Sequence, residues 1–423
     1  MKILFVHNNF PAQFRHLAEY LAADEAHSVH AIGAEHARAV RGVTLHRYSM
    51  ASLGPGAAHP FARRFDVESR RAEQVLYVAT MLLSQGFAPD IVVVHSGWGE
   101  ALPLRSVFPG ARIVVYCEYF YRTEGADVNF DPEFPALGLD GAVALQARNA
   151  MTLLALADAD LALTPTPWQR STFPPELASR IRVAHEGIDT DHVRPRLNAR
   201  CRLEDGRVLT RDDEVISFVN RNLEPLRGYH VLMRALPRVL AERPKAHVVI
   251  VGGFGVSYGP RPPGGQTWHQ IFLDEVAGGL DLKRVHFLGH LLYEDYLSVL
   301  AVSRAHAYLT YPFVLSWSCL EAMATGCVVV ASDTPPVRDV IDGSNGLLVP
   351  FHSPDALAEA LLSVLRTPER YAALGRTARE TIRARFDLRR VALPRLVRLV
   401  TGDSAPPARP DAGEPQPGQW PGG

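Results

Sequence analysis

Short apolar runs bounded by turn residues alternate along this chain with longer amphipathic stretches, the pattern of parallel sheets covered by helices on both faces. Two such series occur. The first predicts strands at residues 2–7, 28–33, 90–95, 112–117, 160–164 and 182–185, with helices over 11–21 and 72–83. A polar stretch at 189–213, rich in proline, arginine and acids, reads as a connection between two units. The second series predicts strands at 214–220, 246–251, 285–288, 305–309, 328–331 and 346–349. A helix begins at Ser353 as N-cap, with Pro354 in its first turn and Leu357, Leu361 and Leu362 on one face. Residues 368–400 read as helical, broken near Asp387 and kinked at Pro394.

This pattern divides the chain into units at 1–190 and 214–386, a connection at 191–213 and a helix at 387–401 that can pack back on the first unit. The Pro- and Gly-rich segment 402–423 is expected to be disordered. A length of 423 residues suits two or three domains at about 100–200 residues each.

Charge removes several function classes. Lys plus Arg (44) nearly balances Asp plus Glu (45), so nothing draws the whole chain toward nucleic acid. The only lysines are Lys2, Lys245 and Lys283, and none follows glycine, which excludes a Walker A phosphate loop. Cys117, Cys201, Cys319 and Cys327 lack zinc-site spacing and are too few for a disulfide scaffold. No apolar run approaches the about 18 residues of a membrane span, and the protein is expected to be cytoplasmic.

Parallel sheets bind ligands at the carboxyl ends of their strands, so residues just after a strand come first. After the 214–220 strand stand Arg221 and Arg227, two guanidiniums on a loop entering a helix, a plausible diphosphate clamp or else a pair of solvated arginines. After the 305–309 strand, Ser316 or Ser318 can cap a helix ended by Gly326, leaving amides near Ser316 and Trp317 free for phosphate. Glu321, one turn into that helix among apolar neighbours, needs partners: ribose hydroxyls or a nearby arginine. In the first half, His95 ends the 90–95 strand beside Gly97, Trp98, Gly99 and Glu100, where a cleft would open.

Other patterns carry less. Gly255-Val256-Ser257-Tyr258-Gly259 matches a nucleophile elbow, yet Pro260, Pro262 and Pro263 forbid the helix an elbow needs. Gly253-Phe254-Gly255 lacks the third glycine of a dinucleotide fingerprint. Asp158 with Asp160 and Asp189 with Asp191 read as surface acids with no His or Cys cluster beside them, and no metal site is expected. The Arg63-Arg64 and Arg70-Arg71 pairs read as a solvated helix face, with contact to an anionic lipid or glycan as the other possibility.

Taken together, these motifs resemble the retaining glycosyltransferases of family 4. That resemblance implies an α/β chain of GT-B architecture, two Rossmann-like domains with parallel sheets facing across a cleft, and covers nearly everything to about Val400. Arg221 and Arg227 match the family's Arg-x5-Lys clamp with arginine in the lysine position, and Glu321 matches the second glutamate of its Glu-x7-Glu motif. His95 matches its active-site histidine, and Glu186-Gly187-Ile188-Asp189-Thr190 resembles its hinge. His7-Asn8-Asn9-Phe10-Pro11-Ala12-Gln13-Phe14-Arg15-His16 stands where the family has a glycine-rich loop, and its part Phe10 to Arg15, with 95–100, is similar to a bacterial subgroup with a distinctive N-terminal domain. One departure is plain: Phe313 replaces the first motif glutamate, which removes its bonds to the donor hexose.

The resemblance implies that His95, Arg221 and Arg227 serve catalysis and that Glu321, Ser316, Trp317, Phe313, Gly253, Leu288 and His290 lie on the donor side, the last two in a backbone site for the base. Phe10, Pro11, Gln13, Trp98 and Glu100 would face the acceptor. The implied reaction moves a sugar from a nucleoside diphosphate, UDP or GDP unresolved, to an acceptor expected to be a small soluble molecule, with no metal or other cofactor. A nucleotide-sugar epimerase or hydrolase on the same fold, or a non-catalytic nucleotide-sugar-binding subunit, stays open.

Overall fold

A computed structural model describes residues 1–50 and 58–402. The segment expected to be disordered lies, beyond Gly402, outside the described residues.

Seven parallel strands form the N-terminal sheet: β1 (Lys2–Val6), β2 (Ser28–Ala34), β3 (Thr44–Tyr48), β4 (Ile91–His95), β5 (Arg112–Tyr116), β6 (Leu161–Thr164) and β7 (Ile181–Val183). Their order is β3-β2-β1-β4-β5-β6-β7, with Ile3 in register with Val29 on one side and Ile91 on the other. Ile3, Leu4, Phe5 and Val6 are wholly buried, as the unbroken apolar run of a strand covered on both faces requires. The sequence pattern missed β3, an edge strand of mixed polarity that carries no apolar run. The helix read from residue 72 begins earlier, spanning Arg63–Ser84.

A small hairpin, β8 (Cys201–Arg202) and β9 (Val208–Leu209), occupies the connection. The C-terminal sheet comprises β10 (Glu214–Asn222), β11 (Ala246–Gly253), β12 (Val285–Phe287), β13 (Ala305–Tyr308), β14 (Val328–Ser332) and β15 (Leu347–Val349), ordered β12-β11-β10-β13-β14-β15. Strand order reverses between β1 and β4 in the first sheet and between β10 and β13 in the second. Loops leaving neighbouring strands at such a point turn to opposite faces, and a crevice opens between them. All four free cysteines are buried.

The chain crosses between lobes twice, side by side. Ile188 and Asp387 form a parallel bridge, the Ile188 amide donating to Phe386 O at 2.8 Å and the Leu388 amide to Ile188 O at 2.9 Å. Burial would raise the Asp387 carboxyl, but hydrogen bonds from Thr190 and from the Arg390 amide and side chain bring it below the usual range. The break expected near Asp387 is therefore a capped crossing. Pro394 is no kink: it stands in the first turn of a separate helix, Leu393–Thr401. Leu396 and Val400 of that helix pack with Phe14 and Leu17 in the N-terminal core.

Gly187 permits this crossing. Its φ is +91°, and a Cβ there would lie 2.8 Å from Leu388 Cα. We expect Gly187→Ala to lower stability by about 2–4 kcal/mol, read as a lower midpoint of urea unfolding, whereas Gly206→Ala meets no neighbouring atom and shows the strain contribution alone.

Candidate active site

The N-terminal half of the site grows from the ends of β1, β4 and β5. His7 follows β1; its Nδ1 accepts the Asn9 amide (2.9 Å) and its Nε2 lies 3.0 Å from Gln13 Oε1. With Nδ1 accepting, Nε2 carries the proton and donates to Gln13. Burial, and then the nearby His95 ring, hold His7 well below the ordinary histidine range, in keeping with a neutral ring. Gln13 Nε2 passes the chain on to Glu118 Oε1 at 2.9 Å. The other oxygen of Glu118 lies 3.4 Å from His95 Nε2, while His95 Nδ1 accepts the Gly97 amide at 3.0 Å. The same logic places a proton on His95 Nε2, facing Glu118. Burial alone would raise the Glu118 carboxyl, but the His95 ring and the Gln13 amide outweigh it and bring it below its ordinary value.

Glu118 escaped the sequence reading. Its signal was there, an acid two residues after a buried strand, but adjacency to His95 exists only once β4 and β5 pair.

The C-terminal half grows from β10 and β13. Arg227 is buried; its Nη1 donates to Thr310 Oγ1 (2.8 Å) and Val314 O (3.0 Å), and its guanidinium lies over Tyr258 and Phe313 at 5.6 and 5.7 Å. Arg221 is exposed, and among the described residues its guanidinium makes no hydrogen bond or ion pair. One arginine is fixed and the other is free to meet a ligand. Ser316 caps the helix Trp317–Ala324 by accepting the Ser318 amide at 3.3 Å, leaving Trp317 exposed beside the cap. Buried Glu224 accepts the Ser257, Tyr258 and Gly259 amides at 3.2, 3.2 and 3.1 Å, which makes the elbow-like segment a tethered loop and presses Tyr258 toward Arg227.

Between the halves lies a cavity of about 260 Å³ whose lining includes Gln13, Glu118 and Glu186 from one lobe and Arg221, Arg227 and Ser316 from the other. Several expected site residues stand elsewhere. Phe10 is fully buried in the core, in ring contact with Phe5 at 6.3 Å, and holds up the loop while Pro11 sits half-buried above it. Glu100 is also fully buried, accepting the Asn8 amide and the Tyr48 hydroxyl at 2.7 Å each. Its role is to brace the β1 loop, not to meet an acceptor. Trp98 lies between Arg64 and Arg71, 5.3 and 5.8 Å from its ring. Those arginines donate to Gly97 O and Trp98 O, so half of the supposed solvated face anchors the His95 loop.

On the donor side, Glu321 does not line the cavity. Its oxygens accept the Tyr293 and Tyr296 hydroxyls at 2.6 Å, partners the sequence reading did not name, and burial raises its carboxyl despite both bonds. Phe313 is buried against Tyr119 (4.7 Å) and Tyr258 (5.1 Å), and its carbonyl accepts Trp168 Nε1 at 2.9 Å. Gly253 brings two groups to one point: a Cβ there would lie 2.6 Å from His290 Nε2 and 2.7 Å from Asn222 Oδ1. Leu288 is half-buried in the core behind them.

Asp131, Glu133 and His230 bring carboxylate and imidazole atoms within 4.8 Å of one another, a spacing that could hold a metal ion. Each is engaged already. His230 Nε2 lies 3.0 Å from Asp131 Oδ2, and Arg234 clasps Glu133 through two bonds of 2.6 Å.

Residues 25–193 match the family described as Glycosyl transferase family 4 group, and 204–381 match Glycosyl transferases group 1. The chain belongs to the family 4 glycosyltransferases. It is 33% identical over 201 residues to D-inositol 3-phosphate glycosyltransferase of Nocardioides sp., covering 44% of this chain and 41% of that one. It is 32% identical over 163 residues to phosphatidyl-myo-inositol mannosyltransferase of Mycolicibacterium smegmatis, covering 37% of each. The match therefore spans about two-fifths of these curated relatives. Sucrose-phosphate synthase from Thermosynechococcus elongatus shares the fold with a TM-score of 0.71 at 19% identity, covering 95% of this chain and 99% of that one. Anabaena HepE in complex with UDP and glucose does so at 0.62 and 16%, covering 95% and 100%. The architecture of this family 4 chain is GT-B.

Glu100 gives a measurable consequence. Burial pushes its carboxyl from 4.5 up to about 7, so between those values the folded protein holds a proton that the unfolded chain releases. Stability accordingly falls as pH rises through that window and is level above it. We expect Glu100→Gln to abolish this slope and to gain up to about 3 kcal/mol at pH 8, measured by urea unfolding across pH 4.5–8.

Proposed function

We propose that the chain is a retaining glycosyltransferase that moves a sugar from a nucleoside diphosphate to an acceptor held by its N-terminal lobe. One observation carries this reading: Arg221, without a hydrogen bond or ion pair among the described residues, and fixed Arg227 line one wall of the interlobe cavity beside the capped end of the helix Trp317–Ala324, opposite Glu118 and the His95 behind it. Negative charge grows on the diphosphate as its bond to the sugar breaks. Guanidiniums and helix amides aimed at that charge stabilise the transition state more than the ground state. They supply the electrostatic help a divalent cation would otherwise give, and the reaction proceeds without one. Arg221, with no hydrogen bond or ion pair among the described residues, moves onto the diphosphate, whereas Arg227 is preorganised by Thr310 and Val314.

On the opposite wall, Glu118 lines the cavity with His95 behind it, its Nε2 proton toward the carboxyl, so that Glu118 meets the sugar or the acceptor and His95 supports it. Phe313, sealed under Tyr119, offers the hexose no hydrogen bond, so Gln13 and Glu118 supply what the first motif glutamate supplies elsewhere. Retention follows from attack on the face the diphosphate leaves, the departing phosphate oxygen accepting the proton. Closing of the lobes about the paired crossings at Ile188 and Asp387 excludes water.

Among the described residues no helix is long and apolar enough to cross a membrane. We assign the enzyme to the cytoplasm, where its four buried thiols stay reduced. One relative's name specifies GDP-mannose and one solved neighbour holds UDP, so both are tested as leaving groups.

A thermal-shift panel of UDP, GDP, ADP and TDP, each with and without EDTA, is expected to give one nucleotide a shift that chelation leaves unchanged. Arg221→Ala should weaken that nucleoside diphosphate about tenfold while sparing the bare nucleoside. Equal loss for both would remove the clamp.

A further inference from the structure

The two walls of the cavity differ in charge. Both lining arginines, Arg221 and Arg227, belong to the C-terminal lobe. The N-terminal wall presents Gln13, Tyr116, Glu118, Gln169, His185 and Glu186, without a lysine or arginine. Arg148, the N-terminal guanidinium stacked 3.8 Å over Tyr121, does not line the cavity.

Glu186 is the most demanding group on this wall. It is 6% exposed, and its Oε1 accepts the Tyr116 hydroxyl. Its Oε2 is buried without a hydrogen-bond partner. His185 Nδ1 stands 3.4 Å away, but that nitrogen already accepts the Gly187 amide at 2.9 Å. Burial lowers the His185 pKa against the pull of Glu186, favouring a neutral ring, and in a neutral ring an accepting nitrogen has no proton to give. Glu186 thus lines the cavity with a buried carboxylate oxygen left unmatched, a costly arrangement that an O–H or N–H of a ligand reaching it would relieve.

Resting on the transferase reading, we propose that the acceptor is an uncharged polyol or an amino sugar that donates a hydroxyl or ammonium hydrogen to Glu186 Oε2, and that a phosphate on this end of the acceptor is rejected. A phosphate brought here meets the carboxyls of Glu118 and Glu186 with no N-terminal cation to offset them. The diphosphate of the donor is drawn instead to the arginine wall. Opposed polarity thus sorts the substrates into their lobes. This separates the chain from the relative named for inositol 3-phosphate.

The test uses the full chain saturated with the nucleoside diphosphate selected above. Glucose, glucosamine and myo-inositol are titrated by calorimetry against glucose 6-phosphate, glucosamine 6-phosphate and inositol 1-phosphate. At least one unphosphorylated compound should bind about tenfold or more tighter than its phosphate. Glu186→Gln, which keeps a carbonyl oxygen for Tyr116, should weaken that compound about tenfold and leave nucleotide affinity unchanged. Phosphates binding equally or tighter, wild-type acceptor affinity in Glu186→Gln, or nucleotide binding with no acceptor binding would each overturn the proposal. Failure of the nucleotide itself to bind strikes the transferase reading first, and the acceptor assignment falls with it.

Discussion

Strand order governs this molecule's chemistry. In each sheet the sequence of strands reverses once, at β1/β4 and at β10/β13, and the loops leaving those strands part to opposite faces. His7 and His95 stand at the first opening, their rings 5.0 Å apart; Arg221 and Thr310 stand at the second. The two openings face one another, and the cavity is their common space. His7, His95, Glu118, Glu186 and Arg221 stand within three residues of a strand's carboxyl end, whereas Gln13, Arg227 and Ser316 lie further along the loops that leave β1, β10 and β13.

Opposing the lobes takes more than the paired crossings. A strap of the N-terminal lobe, residues 118–138, reaches over the C-terminal lobe: the Tyr119 hydroxyl donates to Pro312 O at 3.1 Å, and Asp131 takes the Tyr311 hydroxyl at 2.9 Å and His230 at 3.0 Å. Burial would raise Asp131, but His230, the Glu133 amide and Tyr311 outweigh it and lower it. A buried pair of this kind adds little net stability yet fixes which surfaces meet. On the other flank, Asp339 accepts the Trp168 amide at 2.7 Å, and burial pushes its carboxyl up to about 6. These joints between the lobes are polar, the kind of interdomain contact that leaves relative motion possible.

Legibility in the sequence follows the distance over which each feature is decided. All twelve strands read from the pattern are present, because runs such as Ile91-Val92-Val93-Val94 can only be buried on both faces of a parallel sheet. Edge strand β3 carried no such run. Arg221, Arg227 and His95 are candidates by their place after a strand; both arginines line the cavity and His95 stands behind Glu118. Glu118 and Glu186 share that place, but their meaning depends on partners: one gains His95 across β4 and β5, the other keeps Tyr116 on Oε1 and has no donor for Oε2 because Gly187 occupies His185. Phe10 and Glu100 were assigned to the cleft from neighbours in sequence, while the structure turns both inward.

Local composition by itself determined the elements, their parallel arrangement and two lobes in series, since apolar periodicity, caps and turn residues act over a few residues. It also determined which residues follow strands, and so which candidates could face a ligand. Only tertiary structure decided how those candidates are paired: which arginine is fixed and which is free, that tyrosines hold Glu321, and that carboxyls confront guanidiniums across the cavity. Such pairings join residues far apart in the chain: Thr190 and Asp387 are 197 positions apart. Periodicity along the chain carries no record of them, because hydrogen bonds and charge act through space.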